Sequence, residues 1–304
     1  MSSEVDFNTA WYRFKIHLHF HITTLLEILA NILHNLYIWR RNQAVLPESL
    51  FGKIVVITGA NSGIGKDVAR TCVERDATVL MVCRSEAKAK EAIKEITQSV
   101  TKDKAERLHF VEMDLSSLES VRLAATHIIN NYSHIDVLIN NAGVMMCPEW
   151  TSKDGYEMQF ATNHLGHFLF TNLLLNLLEK SPQGARVVTL SSVAHIPGMI
   201  HFDNINLKNS YTSLKAYQQS KLANLQFAIE LNRRLSKKGS SITSYAVHPG
   251  LVRTELGRHF NCVEQFAISL TNRLILISPE YGMQTTLFCA FDQDAQSFSG
   301  GYLV

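Results

Sequence analysis

Lys53-Ile-Val-Val-Ile-Thr-Gly-Ala-Asn-Ser-Gly-Ile-Gly-Lys66 is the stretch from which the architecture can be read. Ile54 to Ile57 are four consecutive β-branched residues, a run suited to a strand buried on both faces of a parallel sheet. Gly59, Gly63 and Gly65 follow at a spacing that gives a tight turn where the backbone can approach a pyrophosphate. A helix from about Ile64 then offers its first N–H groups to the anion. Three glycines alone are a weak signal. Between such a strand and the helical stretch Lys66–Arg75 they read as a dinucleotide site made by Gly59, Asn61, Ser62, Gly63, Ile64 and Gly65.

Outward from this unit, strand and helix alternate. Strands are expected at Thr78–Cys83, Leu108–Met113, Val137–Ile139, Arg186–Leu190 and Ser241–Val247. Helices are expected at Glu86–Ser99, Leu118–Tyr132, near Asp154 to Leu178, through Tyr217 to about Leu235, and around Glu264–Ile277 and Glu280–Ala290. The alternation implies an α/β fold, a Rossmann-type doubly wound parallel sheet in a single domain over residues 51–304. Ligands then gather at the carboxyl ends of the strands.

Within Ala216-Tyr-Gln-Gln-Ser-Lys-Leu-Ala-Asn224, Tyr217 and Lys221 stand four apart, so a helix stacks a phenol and an ammonium on one face. A nearby cation favours phenolate and is expected to lower the tyrosine pKa toward working range. Alone, the pair reads equally as an ordinary helix carrying an aromatic and a snorkelling lysine. After the second strand comes Arg84, where an acidic residue would bind a free ribose 2′-hydroxyl and a basic one pairs with a 2′-phosphate. Ser85 adds a hydroxyl, and the charge argument favours NADP over NAD.

Composition bounds the remainder. The chain has 304 residues, 46% of them hydrophobic, and a net charge of +2, which gives no basic excess to suggest nucleic acid. Cys72, Cys83, Cys147, Cys262 and Cys289 include no Cys-x-x-Cys and read as buried thiols rather than disulfides or a metal site.

With these motifs in order, residues 52–304 resemble the short-chain dehydrogenase/reductase family, in its retinol dehydrogenase branch. The resemblance rests on the glycine turn, Asn140-Asn-Ala-Gly143, Asn163-His-Leu-Gly-His-Phe168, Ser191-Ser-Val-Ala-His195, Tyr217-x-x-x-Lys221 and His248-Pro-Gly250. It implies that Tyr217 exchanges a proton with the substrate oxygen and that Lys221 lowers its pKa and holds the nicotinamide ribose. It also implies that Ser192 bonds the substrate oxygen, leaving Ser191 as a buried strand hydroxyl, and that Asn163 orders a proton-relaying water. By the same resemblance Asp114 and Leu115 face the adenine, while Asn140, Ala142 and Gly143 line the nucleotide. Pro249, Gly250, Val252 and Thr254 flank the nicotinamide. Family members usually continue beyond the equivalent of Tyr302 with a segment that closes the substrate side, so substrate preference is left open. The cofactor implied is NADP(H). The partners implied are a lipophilic small molecule, a membrane surface and a second copy of the chain in a homodimer.

Residues 1–50 stand apart. Ile16–Trp39 places Leu25, Leu26, Ile28, Leu29, Ile32, Leu33, Leu36 and Trp39 at helical spacing, against a polar stripe of Thr24, Glu27, Asn31, His34 and Asn35. The polar stripe makes spanning expensive, while Arg13, Lys15, Arg40 and Arg41 suit an interface. A membrane-surface or weakly hydrophobic anchor is favoured over a spanning helix or packing on the enzyme or a partner. The implied location is intracellular and membrane-associated, with endoplasmic reticulum and mitochondrion undecided. His17, His19 and His21 alternate without a carboxylate among them and read as interfacial or solvated rather than metal ligands. Phe260, Val263, Phe266, Ile268, Leu270, Leu274 and Leu276 could cover a hydrophobic pocket or simply pack a core, and the insertion Ile196–Lys215 is placed to shape the same pocket.

The leading expectation is an oxidoreductase interconverting a lipophilic alcohol and its carbonyl form, with retinol and retinal implied by the resemblance. A steroid or fatty-acyl carbonyl reductase would differ only in pocket shape. A reading of another class, an NADP(H) sensor that recruits a partner through its N-terminal helix, needs the glycine turn but not the set Asn163, Ser192, Tyr217 and Lys221.

Overall fold

The computed structural model describes residues 2–36, 43–259 and 275–304, with side chains from residue 15 onward. Its first element is the long helix α1 (Ser2–Asn35). Strands β1 (Ile54–Thr58), β2 (Thr78–Cys83) and β3 (Leu108–Glu112) follow, with helices α2 (Gly63–Glu74), α3 (Glu86–Thr97) and the short α4 (Lys102–Ala105) between them. Next come α5 (Leu118–Asn131), β4 (Val137–Asn140), α6 (Met158–Phe160), α7 (Gly166–Leu178), β5 (Arg186–Leu190), α8 (Ser213–Lys237) and β6 (Thr243–Val247). Helices α9 (Pro279–Gly282) and α10 (Gln284–Phe291) and the strand β7 (Tyr302–Leu303) complete the chain.

The seven strands form one parallel sheet in the order β3-β2-β1-β4-β5-β6-β7. The β-branched run 54–57 lies at its centre because it must be buried from both sides. Val55 and Ile57 pack with Val68 of α2, Ala92 of α3 and Leu287 of α10, while Val56 packs with Val121 of α5, Leu174 of α7 and Leu231 of α8. The order reverses between β1 and β4. That reversal opens a crevice at the carboxyl ends of these two strands, bounded by Thr58 and Asn140.

Three local outcomes differ from the sequence reading. The helix expected near Asp154 begins at Met158, because Gly155 (φ +83°) bonds back to Ser152 in a turn and the Glu157 carboxylate caps the helix by accepting from Gln159 N and Phe160 N. It is then interrupted by a π turn over Ala161–Leu165. Strand β7 was not anticipated; two residues carry no periodicity, and the pairing is made by Ala246 N to Gly301 O and His248 N to Leu303 O. Most of the helix expected around Glu264–Ile277, with Cys262 and the apolar residues Phe260 to Leu274, lies outside the described residues. Ile277 itself pairs as a bridge with Val252.

Among the described residues, Cys72, Cys83, Cys147 and Cys289 are buried and unbridged. His17, His19 and His21 are exposed on α1.

Candidate active site

The glycine turn is shaped by what presses on it. Gly59 and Gly63 have φ of +66° and +51°, in the left-handed region that glycine alone enters freely. A Cβ on Gly59 would meet Ala142 Cα at 3.0 Å, and one on Gly65 would meet Asn141 Nδ2 and Gly59 O at 2.5 Å. A Cβ on Gly63 would touch Thr254 Cγ2 at 3.0 Å, which places Thr254 against the turn. Ser62, extended before α2, makes no side-chain cap, so the first N–H groups of the helix keep their capacity for an anion. Cys83, at the end of β2, takes backbone hydrogen bonds from Ala60 and Asn61, bringing Arg84 and Ser85 beside the turn. Arg84 is exposed, and Ser85 caps α3 by accepting from Lys88 N at 3.4 Å. These features fit a dinucleotide with its pyrophosphate on α2.

Asn140-Asn-Ala-Gly143 is fastened from below. The buried Thr58 hydroxyl accepts from Asn141 N at 2.9 Å and Ala142 N at 3.0 Å, and it lies 2.8 Å from His167 Nε2. His167 Nδ1 lies 2.9 Å from Asn163 O, a group that can only accept, so Nδ1 carries the proton and Nε2 accepts from Thr58. Burial holds the His167 pKa down to about 4, so the ring is neutral at physiological pH. Asn141 ties itself to the turn through Nδ2 to Thr58 O at 2.8 Å. The Asn140 side chain turns inward to Thr171 and Thr189 rather than outward to the crevice. Asp114 Oδ1 accepts from the amide and hydroxyl of Ser116, and Leu115 O sits where a Cβ on Gly166 would be, only 2.5 Å away.

The π turn aims Asn163. Its extra residue rotates the chain by roughly 100° relative to an uninterrupted helix, which fits a wholly buried asparagine facing the Asn140–Gly143 loop. Asn163 Oδ1 accepts from Val144 N at 2.8 Å, and its Nδ2 donates to Val144 O and Ser220 Oγ, each at 2.9 Å.

Helix α8, capped by Thr212, carries Tyr217 and Lys221 to the same crevice. Tyr217 is 5% exposed, and burial pushes its phenol up to about 12 against a hydrogen bond with Ser192. The lowering expected from Lys221 is not found: Ser192 is the one group that acts downward on the phenol, and burial outweighs it. Lys221 is itself buried, which brings its pKa down to about 8. Its Nζ donates to Leu190 O at 3.1 Å and lies 5.5 Å from the Tyr217 ring centroid. Ser192 caps the turn Val193–His195, while Ser191 donates to Lys221 O at 2.8 Å and so holds α8 to β5. The insertion is fastened by Gln219, whose side chain accepts from His201 N and donates to Ile205 O.

Thus Asn163, Ser192, Tyr217 and Lys221, drawn from three separate elements, are brought close together: Asn163 through Ser220 on α8, Ser192 beside Tyr217, and Lys221 on Leu190 O. Thr58, Asn141, His167 and Ser220 support them and were not singled out from the sequence. Thr58 and Asn141 lay in plain view within quoted motifs, whereas His167 carries no signal without its neighbours.

A dinucleotide-binding α/β sheet with a Ser, Tyr and Lys group at the carboxyl end of its fifth strand defines an oxidoreductase of the alcohol dehydrogenase type. Residues 53–264 match the family described as short chain dehydrogenase, and the chain belongs to that family, whose members use NAD(P). Human retinol dehydrogenase 13 is 44% identical over 256 residues, covering 83% of this chain and 76% of that protein. Retinol dehydrogenase 12 of Bos taurus is 45% identical, covering 83% and 78%. The crystal structure of an uncharacterized protein from Mycobacterium Paratuberculosis superposes with a TM-score of 0.65 at 40% identity, covering 82% of this chain and 79% of that one. The Pseudomonas aeruginosa RhlG/NADP active-site complex superposes at 0.66 with 24% identity, a likeness of fold, covering 84% and 95%.

Proposed function

We propose that the protein interconverts a lipophilic alcohol, retinol, and its aldehyde with NADP(H), using Tyr217 as the proton-exchanging group. The observation that carries this reading is the buried Tyr217 phenol hydrogen-bonded with Ser192, with Lys221 below it on the same helix face. A phenol held at about 12 is protonated at neutral pH, which is the state that carbonyl reduction needs. Ser192 orients the substrate oxygen toward that proton. Lys221 provides a positive charge that favours the phenolate left behind, and Asn163 keeps the neighbouring loop in place. The nicotinamide, when bound, supplies or takes the hydride.

Arg84 and Ser85 support NADP(H) over NAD(H) by charge and position, and the retinoid assignment is supported by the retinol dehydrogenases among the relatives. Helix α1 supports work at a membrane surface: Lys15–Asn35 is long and apolar enough to cross a bilayer, yet its polar stripe meets the domain while Leu25, Leu26 and Leu29 stay more than half exposed. Purified full-length protein is expected to oxidise NADPH in the presence of all-trans-retinal. Absence of turnover with retinoids in either direction, with the nucleotide bound, would overturn the substrate assignment.

A further inference from the structure

Helix α1 meets the domain with the face that a membrane helix would hide. Glu27 accepts from His248 Nε2 at 3.2 Å through both carboxylate oxygens, across 221 positions of sequence. The two side chains are 9% and 5% exposed, so neither charge nor ring is solvated in the ordinary way. One helical turn on, Asn31 Nδ2 donates to Ile275 O at 2.8 Å, and Asn35 Nδ2 donates to Leu276 O at 3.3 Å. Ile275–Ile277 in turn runs beside the loop after β6: Ile277 N donates to Leu251 O and Arg253 N donates to Ile277 O. The loop between His248 and Thr254 is thereby held at its start by Glu27 and along its flank by a segment that α1 also fastens. Its far end, Thr254, presses on the glycine turn at Gly63.

We infer that Glu27 is a positioning residue for the loop His248–Thr254, and that docking of α1 through Glu27, Asn31 and Asn35 braces the nicotinamide side of the active site. The brace itself rests on the contacts above; its link to nucleotide affinity rests on the cofactor reading of the preceding section. Because α1 and the nucleotide would both act on the same loop, each favours the other, and the coupling is reciprocal.

The test uses full-length protein in detergent micelles, with hydrogen exchange of the loop amides 250–254 followed by mass spectrometry and NADPH affinity by calorimetry. Glu27→Ala leaves the buried His248 ring unpaired and is expected to speed loop exchange about tenfold and weaken NADPH binding about tenfold. Glu27→Gln, which keeps an oxygen to accept from Nε2, recovers most of both. Leu25→Ser, on the exposed side of the helix, changes neither. Unchanged loop exchange in Glu27→Ala, or a Glu27→Gln as damaging as the alanine, overturns the inference. Should Glu27→Ala fail to fold, the wild-type chain decides: NADPH is expected to slow exchange of the amides 27–35, and no protection there overturns it. A wild-type chain that binds no NADPH defeats the cofactor reading, while loop exchange measured without nucleotide still decides the brace.

Discussion

Replacing Thr58 by valine keeps the shape of a side chain at the base of the site and removes its hydroxyl. That hydroxyl is saturated: it accepts from Asn141 N and Ala142 N and donates to His167 Nε2. Valine leaves the half-buried amide of Ala142 and one buried ring nitrogen without partners, while Asn141 N keeps its bond to Ile139 O at 3.0 Å. Taking the low end of the penalty for each unsatisfied group, about 1 kcal/mol for the amide and 1–2 kcal/mol for the ring, gives a loss of roughly 2–3 kcal/mol. At about 2 °C per kcal/mol for a domain of this size, Tm falls by roughly 4–6 °C. Urea unfolding and thermal scans followed by circular dichroism, on wild type, Thr58→Val and Thr58→Ser, measure it. Serine keeps the hydroxyl and should lose about 1 kcal/mol for the missing methyl. A Thr58→Val protein within about 1 kcal/mol of wild type would refute the tie between the glycine turn, the Asn140–Gly143 loop and the π turn.

Other outcomes follow from the same geometry. Tyr217→Phe should reduce kcat by about two to four orders of magnitude while NADPH still binds, and retained turnover would remove Tyr217 from proton transfer. Arg84→Ala should lower the ratio of NADPH to NADH affinity by about tenfold, from the loss of one charge-assisted bond to a phosphate; an unchanged ratio takes Arg84 off the 2′-phosphate. His164 is half-buried and His167 buried, and both are held at about 4 instead of 6.5, so the folded state resists their protonation. Their stability contribution is complete above pH 6.5 and is lost as pH falls toward 4; at pH 5 the loss is at most roughly 2 kcal/mol per ring, read as a lower urea midpoint than at pH 7.5. A midpoint flat across that window would contradict it. Gly65→Ala should abolish nucleotide binding, because its Cβ would lie 2.5 Å from Gly59 O, a backbone atom that cannot swing away; calorimetry showing wild-type affinity would count against the turn as the phosphate site.

Much of this was legible in the chain because it follows from short-range rules. Four β-branched residues could only fill a doubly covered strand, and Gly59 and Gly65 stand where a Cβ would strike Ala142 and Asn141. Tyr217 and Lys221 share a face because 3.6 residues make a turn. What stayed hidden depends on partners distant in sequence. The π turn that aims Asn163 has no composition of its own; it coincides with the close approach of the Leu115 carbonyl to Gly166 and with the bonds Asn163 makes to the N–H and carbonyl of Val144. The elevated Tyr217 pKa reverses the expectation from Lys221 because spacing shows adjacency and says nothing of how far a ring is removed from water. For α1 the amphipathic pattern was plain, but which stripe faced the protein was not. The polar stripe that argued against a spanning helix is the one that docks.

The inverted attachment of α1 bears on any effort to work with a trimmed catalytic domain. Cutting ahead of Leu50 would strip away the exposed leucines Leu18, Leu25, Leu26, Leu29 and Leu36. It would also uncover the His248 ring and the Ile275 and Leu276 carbonyls, which then bond to water in place of Glu27, Asn31 and Asn35. Solubility gained in that way would come with a loosened cofactor loop, and kinetics measured on the shortened chain would describe a different enzyme from the one in which α1 is docked.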